Sequence, residues 1–176
     1  MLAIIAAVGN YGVYSIGNKL PWEHHGVILR EDMRRFKQMT TGNIVIMGRG
    51  TFESLGKKPL PHRINIVVSR RARTKDGVLI ESNFASALSL AKYLAEGRTI
   101  FAIGGISVWR EAFPIADELY ITEVNKEYAR PDADGVRSFP VFLDPERHSR
   151  FKETSREGFF DKKADTYYDF VKYVRT

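Results

Sequence analysis

The chain has 176 residues, 44% of them hydrophobic, which predicts one domain over residues 1–176 with a single core and excludes disordered and fibrous proteins. Cysteine is absent, which excludes disulfides and thiolate metal sites and agrees with a reducing, cytoplasmic location. The net charge of +6 favours an anionic partner, either nucleic acid, a membrane surface or a small phosphorylated or carboxylated ligand.

The first segments predict a buried strand, a loop and a helix. LAIIAAVG is continuously apolar, as a central strand buried on both faces is, and it is too short for a membrane segment, so we expect no membrane association. The loop NYGVYSIGNKLPW is rich in Gly and Asn, which is typical of mobile segments that cover a site. The segment from about Leu29 to Thr40 predicts a helix that stops near Thr41 and Gly42.

An acidic side chain stands among apolar ones in this helix. Helical spacing places Leu29, Met33 and Phe36 on one stripe, with Asp32 one turn before Phe36 at the edge of the same face. Taken alone, an acid in the first turn of a helix usually only complements the helix dipole. A functional role for Asp32 therefore depends on the rest of the chain.

Strands and helices are predicted to alternate from there to about residue 113. NIVIMG predicts a strand, and we expect Thr51 to cap the short helix after it and Gly56 to end that helix. INIVVSR and GVLIES predict two further strands. A helix capped by Ser82 or Asn83 and terminated by Gly97 follows, then the strand TIFAI and the helix ISVWREAFP.

Beyond residue 113 the sequence alternates apolar and polar residues. ELYITEV, the region 151–160 and TYYDFVKYV therefore predict antiparallel strands. The whole pattern predicts an α/β protein with a mixed, mostly parallel central sheet of eight strands, flanking helices and an antiparallel C-terminal hairpin.

Three predicted strand-to-helix junctions carry small, capping or basic residues: Gly48 to Thr51, Ser69-Arg70, and Gly104 to Ser107. In a doubly wound sheet such junctions share one edge, where N–H groups and helix dipoles favour anions. Together they are suited to a dinucleotide, and Arg49 and Arg70 are suited to the phosphate that separates NADP from NAD. No G-x-G-x-x-G motif is present, so a Rossmann fingerprint is not claimed.

The sequence also resembles the dihydrofolate reductase family. The similarity lies in successive motifs, in that family's order and spacing, over roughly residues 1–125: AxxxxxGVYSIGNKLPW, DMRRFKQMT, VIMGRGTFESLGKKPLPHRINIVVS, IFAIGGISVW and LYITEV. The resemblance implies that family's fold. It also implies NADPH-dependent reduction of 7,8-dihydrofolate to 5,6,7,8-tetrahydrofolate by hydride transfer, a step that supplies one-carbon metabolism and thymidylate synthesis.

The resemblance implies catalytic roles for Asp32, Trp22 and Thr122. Asp32 corresponds to the family's single active-site carboxylate, and Thr122 to the residue that hydrogen-bonds it. A buried carboxylate can accept two N–H bonds from the aminopyrimidine part of a pterin and favours the protonated ring. Because the proton reaches the ring through water in that family, Asp32 is expected to orient and tune the substrate.

Substrate and cofactor residues follow from the same resemblance. Arg63 matches the arginine whose planar fork grips the glutamate α-carboxylate of the substrate. The residues that correspond to the substrate pocket are Ile5, Met33, Phe36, Lys37, Leu55 and Arg63. The residues that correspond to the NADPH site are Ala7, Val13, Tyr14, Ser15, Ile16, Gly17, Arg49, Gly50, Thr51, Ser69, Arg70, Ile103, Gly104, Gly105, Ile106, Ser107, Val108 and Trp109. A cis peptide bond between the two glycines Gly104 and Gly105 is implied as well.

The chain departs from the family pattern in several places: Gly50 stands where that family often has a basic or polar residue, Ile106 where it often has glycine, Trp109 where it often has tyrosine, and two further departures lie in the first loops. It carries extra residues between Trp22 and Asp32, and we expect His24 to Arg30 to reshape the pocket entrance. Two adjacent histidines stand there, but no third ligand is in view, so no metal site is predicted. The family's Ile-Gly pair in the first loop corresponds either to Tyr14-Ser15 or to Ile16-Gly17, and the sequence leaves both open.

Two alternatives stay open. Another pteridine or pyrimidine reductase of the same fold, such as that of riboflavin synthesis, is disfavoured because four residues together indicate a substrate that is a pterin with a glutamate tail: Asp32, Phe36, Thr122 and Arg63. A basic nucleic-acid-binding module is disfavoured because the basic residues are scattered and no recognition helix is seen. We therefore expect a monomeric enzyme with a small-molecule substrate and no nucleic-acid partner.

Overall fold

The computed structural model describes residues 1–71, 76–144 and 151–176. The strands are β1 (Leu2–Val8), β2 (Val13–Ile16), β3 (Ile44–Gly48), β4 (Ile64–Val68), β5 (Val78–Glu81), β6 (Ile100–Gly104), β7 (Glu118–Val124), β8 (Val136–Ser138), β9 (Phe151–Asp161) and β10 (Thr166–Arg175). The α-helices are α1 (Pro21–His24), α2 (Arg30–Thr40), α3 (Arg49–Ser54), α4 (Phe84–Leu94) and α5 (Ile106–Ala112). Two short 3₁₀ helices lie at Asn10–Gly12 and Pro140–Leu143.

The chain divides into two compact units, Met1–Ile5 with Arg35–Asp117 and Ala6–Arg34 with Glu118–Thr176. The central sheet has eight strands, and the first unit holds the series β5-β4-β3-β6-β1 while the second holds β7-β10-β9. The predicted fold class, a mixed sheet of eight strands with flanking helices, is confirmed. A single domain over residues 1–176 stays a prediction.

Parallel pairing dominates the first unit. β3 pairs in parallel with both β4 and β6, and all five of its residues are buried. Such continuous apolar runs require cover on both faces, which is why they form the interior of a parallel sheet. Helix α4 supplies part of this cover with an inward stripe at helical spacing, formed by Phe84, Ala87, Leu88 and Ala91.

The ends of the helices agree with most predicted signals. Asn83 caps α4 by accepting a 2.9 Å hydrogen bond from the Ser86 N–H, which decides between the two predicted caps. Gly42 follows α2 with a φ of +78°, a conformation that favours glycine. The predicted cap at Thr51 is wrong, because α3 begins directly after β3 with Gly48 as its N-cap and Thr51 lies inside the helix.

Antiparallel pairing dominates the second unit, as predicted for the C-terminal strands. β10 pairs with β7 and β9, and its register sets Phe170 opposite Thr122 and Tyr168 opposite Phe159. The predicted first loop contains three unpredicted elements, the 3₁₀ helix Asn10–Gly12, the strand β2, which pairs with β8, and the start of the one-turn helix α1. None of the helices in the described residues has the length and apolar character needed to cross a bilayer.

Candidate active site

A hydrogen bond joins Asp32 to Thr122, as the sequence resemblance predicted. Asp32 lies in the first turn of α2, and Thr122 lies on β7 with 1% of its surface exposed. The Thr122 hydroxyl donates to Oδ1 of Asp32 over 2.6 Å. Because the donor is a buried residue of a paired strand, the carboxylate is fixed by a rigid element.

Apolar side chains pack below the start of α2. Trp22, Leu29 and Tyr168 belong to one buried cluster, and Ala7 of β1 packs against it. Burial, and to a lesser extent the negative charges of Asp161, Asp32 and Glu31, together raise the pKa of Tyr168 to about 12. Tyr168 therefore stays neutral at physiological pH beside these carboxylates.

The segment from His24 to Arg30 folds back on itself. The N–H groups of Gly26 and Val27 donate to the carbonyls of Glu23 and Trp22 over 3.0 and 2.9 Å. The His25 ring lies 5.6 Å from the Tyr128 ring, and its Nε2 is 3.2 Å from the Tyr128 carbonyl oxygen. Its effect on the pocket entrance stays a prediction.

The guanidinium of Arg63 is held against the C-terminal end of α2. Its Nε donates to Oγ1 of the fully buried Thr40 over 2.8 Å. Its Nη1 donates to the Pro61 carbonyl over 2.6 Å and its Nη2 to the Lys37 carbonyl over 3.4 Å. Burial lowers the pKa of Arg63, and the group remains a cation at neutral pH.

The predicted apolar wall is buried only in part. Phe36, on α2, carries the Arg63 guanidinium 5.9 Å above its ring centroid. Met33 is 53% exposed and Leu55 is also exposed, whereas Ile5 is buried in β1. Lys37 is exposed on α2. Exposed apolar side chains such as Met33 are suited to contact an aromatic ligand, since they would lose water on binding.

Two of the three predicted junctions lie close together in the first unit. A Cβ atom built on Gly48 would lie 3.6 Å from the Gly105 N and 3.8 Å from the Ser107 hydroxyl. Helices α3 and α5 start at these turns without a side-chain cap on either N-cap glycine. Gly50 in the first turn of α3 is exposed, with no atom within 4 Å of a built Cβ. Uncapped N–H groups beside open space suit a phosphate.

The turn at Gly104 and Gly105 disfavours a larger residue at its first position. The predicted cis peptide bond between them is present, and Gly104 has a φ of +124°. A Cβ on Gly104 would lie 3.1 Å from the Trp109 ring and 3.3 Å from the Thr51 hydroxyl. Trp109 is fixed there because its Nε1 donates to the Ala102 carbonyl over 3.2 Å. The other predicted residues of this segment, Ile103, Ile106 and Val108, are half-buried or buried.

The third junction differs from the prediction. Ser69 and Arg70 follow β4, but the next element of the described residues is the strand β5 rather than a helix. The Ser69 hydroxyl accepts from the Arg71 N–H over 3.1 Å, and Arg70 is exposed. Arg49 forms an exposed ion pair of 3.2 Å with Glu53 on the next turn of α3. A phosphate at Arg49 would therefore compete with this carboxylate.

The predicted nicotinamide loop, Val13 to Gly17, contains the short strand β2. Val13, Tyr14 and Ser15 are buried, and the Ser15 hydroxyl donates to the Gly17 carbonyl over 2.8 Å. The Gly17 N–H donates to the Gly135 carbonyl over 2.8 Å, and Ile16 is half-buried. Pairing with β8 thus holds the segment Val13 to Ile16, which the sequence predicted to be part of a mobile loop.

Sequence reasoning missed two polar residues that support Arg63. Thr40 accepts from its Nε, and the buried Asn65 bonds to the loop that carries Arg63. The sequence did contain an indication for Asn65, because asparagine is unfavourable in a strand of β-branched residues such as INIVV. No group of three or more histidine, aspartate and glutamate side chains able to hold a metal ion occurs in residues 1–71, 76–144 and 151–176.

Comparison with known proteins gives one family. The family model described as dihydrofolate reductase matches residues 1–175. Dihydrofolate reductase of Bacillus subtilis (strain 168) is 35% identical over 99% of this chain and 95% of its own length, and that of Neisseria gonorrhoeae is 40% identical over 98% and 97%. The solved structure of dihydrofolate reductase from Enterococcus faecalis complexed with NADP(H) and RAB-propyl matches with a TM-score of 0.80 and 27% identity, over 100% of this chain and 96% of that one.

Proposed function

Because this chain belongs to the dihydrofolate reductase family, we propose that it reduces 7,8-dihydrofolate to 5,6,7,8-tetrahydrofolate with NADPH and uses Asp32 to bind the pterin. The observation that carries the role of Asp32 is its 2.6 Å hydrogen bond from the buried Thr122. A carboxylate fixed at one oxygen keeps further lone pairs for the N–H groups of an aminopyrimidine. Asp32 is thus an orienting group with a defined direction.

The charge of Asp32 is the electrostatic contribution of the chain to the reaction. A negative carboxylate stabilises the protonated, cationic pterin, which accepts a hydride more readily than the neutral ring. The Thr122 hydroxyl stabilises the charged form of the carboxylate by donating to it. The buried cluster of Trp22, Leu29 and Tyr168 provides an apolar environment in the same unit, and charges interact more strongly beside apolar surroundings than in water.

The glycine turns of the first unit fit a dinucleotide. We assign the phosphates to the uncapped starts of α3 and α5, with Gly50, Thr51 and the segment Gly104 to Val108 around them. Ser69, Arg70 and Arg49 are assigned to the adenosine phosphate, and Val13 to Gly17 with Ala7 and Trp109 to the nicotinamide. When bound, NADPH supplies the hydride.

The guanidinium of Arg63 is assigned to the α-carboxylate of the substrate's glutamate. Its bonds to Thr40, Pro61 and Lys37 fix the plane of the fork, and a fixed fork loses little entropy on binding a carboxylate in two-point fashion. Phe36, Met33, Leu55 and Ile5 are assigned to the apolar part of the substrate. We also assign Lys37, which is exposed, to the same carboxylate region.

The decisive experiment is NADPH oxidation by the purified protein with dihydrofolate as substrate. We expect dihydrofolate-dependent loss of NADPH absorbance, and slower oxidation of NADH. No oxidation with dihydrofolate but turnover of the aminopyrimidine of riboflavin synthesis would move the assignment to that reductase. Salt-sensitive DNA retention in a filter-binding assay, without NADPH oxidation, would favour a nucleic-acid-binding protein.

The proposal also includes the location, the domain organisation and the oligomeric state of the enzyme. The absence of cysteine supports a cytoplasmic enzyme, and a family model that spans residues 1–175 supports a single domain. We propose a monomer, which gel filtration with light scattering checks, and a dimer mass would contradict it.

A further inference from the structure

Asn65 is a polar side chain in an apolar strand. It is the second residue of β4, pairs with Val45 and Val78 on the two neighbouring strands, and is 2% exposed. A buried amide is retained in such a place when its hydrogen bonds are satisfied. Among the described residues, the hydrogen-bond partners of the Asn65 side chain lie in one loop, and that loop leads to Arg63.

Three hydrogen bonds join the Asn65 amide to this loop. Oδ1 accepts from the Leu60 N–H over 2.9 Å, and Nδ2 donates to the carbonyls of Leu60 over 2.9 Å and Arg63 over 3.1 Å. The amide therefore joins both ends of the segment 60–63. Because β4 is paired on both sides, the loop is anchored to an interior strand of the sheet.

The closed loop fixes the guanidinium by two routes. Asn65 holds the backbone from which the Arg63 side chain extends, and the Pro61 carbonyl inside the loop accepts from Arg63 Nη1 over 2.6 Å. His62, between them, has a φ of +58°, which is unfavourable for a residue other than glycine. Loss of the bonds that close the loop would let His62 relax and carry both Pro61 and Arg63 with it.

We propose that Asn65 is a positioning residue for substrate recognition, which acts by holding the loop 60–63 so that the Arg63 fork faces the glutamate α-carboxylate of dihydrofolate. The inference rests on the role of Arg63 stated under the proposed function. The inference predicts an effect on substrate binding and not on the chemical step. Loss of the Asn65 amide should raise KM for substrates that carry the glutamate and leave KM unchanged for substrates that lack it.

The test compares two substrates that differ only in the glutamate, 7,8-dihydrofolate and 7,8-dihydropteroate. The variant Asn65→Ala is measured beside Asn83→Ala, which also removes a side-chain bond to backbone in the first unit but lies at the cap of α4. If Asn65→Ala does not fold, Asn65→Ser replaces it, because the hydroxyl can keep one of the bonds. KM and kcat are determined for both substrates with saturating NADPH.

We expect Asn65→Ala to raise KM for dihydrofolate about tenfold with little change in kcat, and to leave KM for dihydropteroate unchanged. Asn83→Ala should change KM for neither substrate. An equal rise for both substrates would show a merely structural role, and no rise for either would show that the loop keeps its shape without the amide. Both results overturn the inference.

The variant Arg63→Ala separates this inference from the assignment on which it rests. If Asn65 acts through Arg63, adding Asn65→Ala to Arg63→Ala should raise KM for dihydrofolate no further. If Arg63→Ala leaves the preference for dihydrofolate unchanged, the assignment of Arg63 is wrong and the role of Asn65 falls with it. If Arg63→Ala removes that preference and Asn65→Ala does not, only the role of Asn65 is wrong.

Discussion

Two charged side chains of opposite sign, Asp32 and Arg63, are each held by a buried threonine. Thr122 donates its hydroxyl to Asp32 over 2.6 Å, whereas Thr40 accepts from Arg63 Nε over 2.8 Å. A hydroxyl is both donor and acceptor, so one residue type can orient either sign of charge. Arg63 also donates to two backbone carbonyls, those of Pro61 and Lys37.

The difference teaches where single substitutions should be costly. Arg63 is fixed by a network, so removal of one partner leaves the others in place. The hydroxyl of Thr122 acts on a group that is assigned to the reacting ring, where an error in orientation is felt in the chemical step. We therefore expect larger losses at the carboxylate than at the guanidinium.

The largest effect is expected for Asp32→Asn. The amide keeps the shape but loses the charge that favours the protonated pterin, so kcat/KM for dihydrofolate should fall by about 10²–10³-fold at neutral pH. The rate should recover in part at low pH, where the substrate is already protonated. NADPH binding and the thermal midpoint should stay near those of the wild type, and unchanged turnover would remove Asp32 from the reaction.

Thr122→Val tests the threonine that donates. Valine has nearly the same shape without the hydroxyl, so Asp32 loses a charge-assisted bond, and kcat/KM should fall roughly tenfold or more. Thr122→Ser, which keeps the hydroxyl, is the matched control and should retain most of the activity. Equal activity of the two variants would show that Asp32 is oriented by other groups.

Arg70→Ala provides a contrast, because Arg70 is exposed and has no hydrogen-bond or ion-pair partner among the described residues. Its effect should be purely a loss of charge at the adenosine phosphate: affinity for NADPH should fall about tenfold while that for NADH changes little. Fluorescence titration with both cofactors measures this. Equal losses would show that Arg70 does not bind the extra phosphate.

Thr40→Val tests the threonine that accepts. Arg63 loses the partner of its Nε but keeps the carbonyls of Pro61 and Lys37, so KM for dihydrofolate should rise only about threefold, with kcat unchanged. Steady-state kinetics of Thr40→Val and Thr122→Val, measured under the same conditions, test this comparison. A larger loss here than in Thr122→Val would reverse the order that the two networks predict.

The smallest expected effect is on stability at alkaline pH, and it concerns Tyr168. Tyr168 has its pKa raised from 10.0 to about 12, first by burial and then by neighbouring carboxylates. Because the native state holds this proton more tightly than the unfolded state, the native state loses stability as pH rises from 10.0 toward 12. Tyr168→Phe should reduce the fall in thermal midpoint across that window by on the order of 1–2 °C. An identical pH profile would contradict this.

The sequence predicted the elements whose signals are local. The apolar run of β3, the cap of α4 and the helix that carries Asp32 depend on neighbours within a few residues, whereas the predicted stripe was wrong, because Leu29 precedes α2 and Met33 is exposed. The bond between Asp32 and Thr122 was predicted through the family motifs and not through the pattern, because 90 residues separate the two.

The missed features depend on contacts that no local pattern encodes. β2 and β8 are short strands that stabilise each other across more than a hundred residues, so neither has a recognisable run of its own. Thr40 and Asn65 are polar residues that act through hydrogen bonds to Arg63 and to its loop, and these bonds are visible only in the folded structure. Thr51 was misassigned because α3 starts without a connecting loop, which moves the cap to Gly48.

The turn formed by His24 to Val27 has a consequence for protein engineering. Its bonds from Gly26 to Glu23 and from Val27 to Trp22 close it locally, and Gly26 is exposed with a φ of +76°. The entropic cost of a longer loop between fixed ends grows only slowly with its length. A short peptide tag inserted next to Gly26, with the glycine itself kept, should therefore add little to the entropic cost of closing this turn.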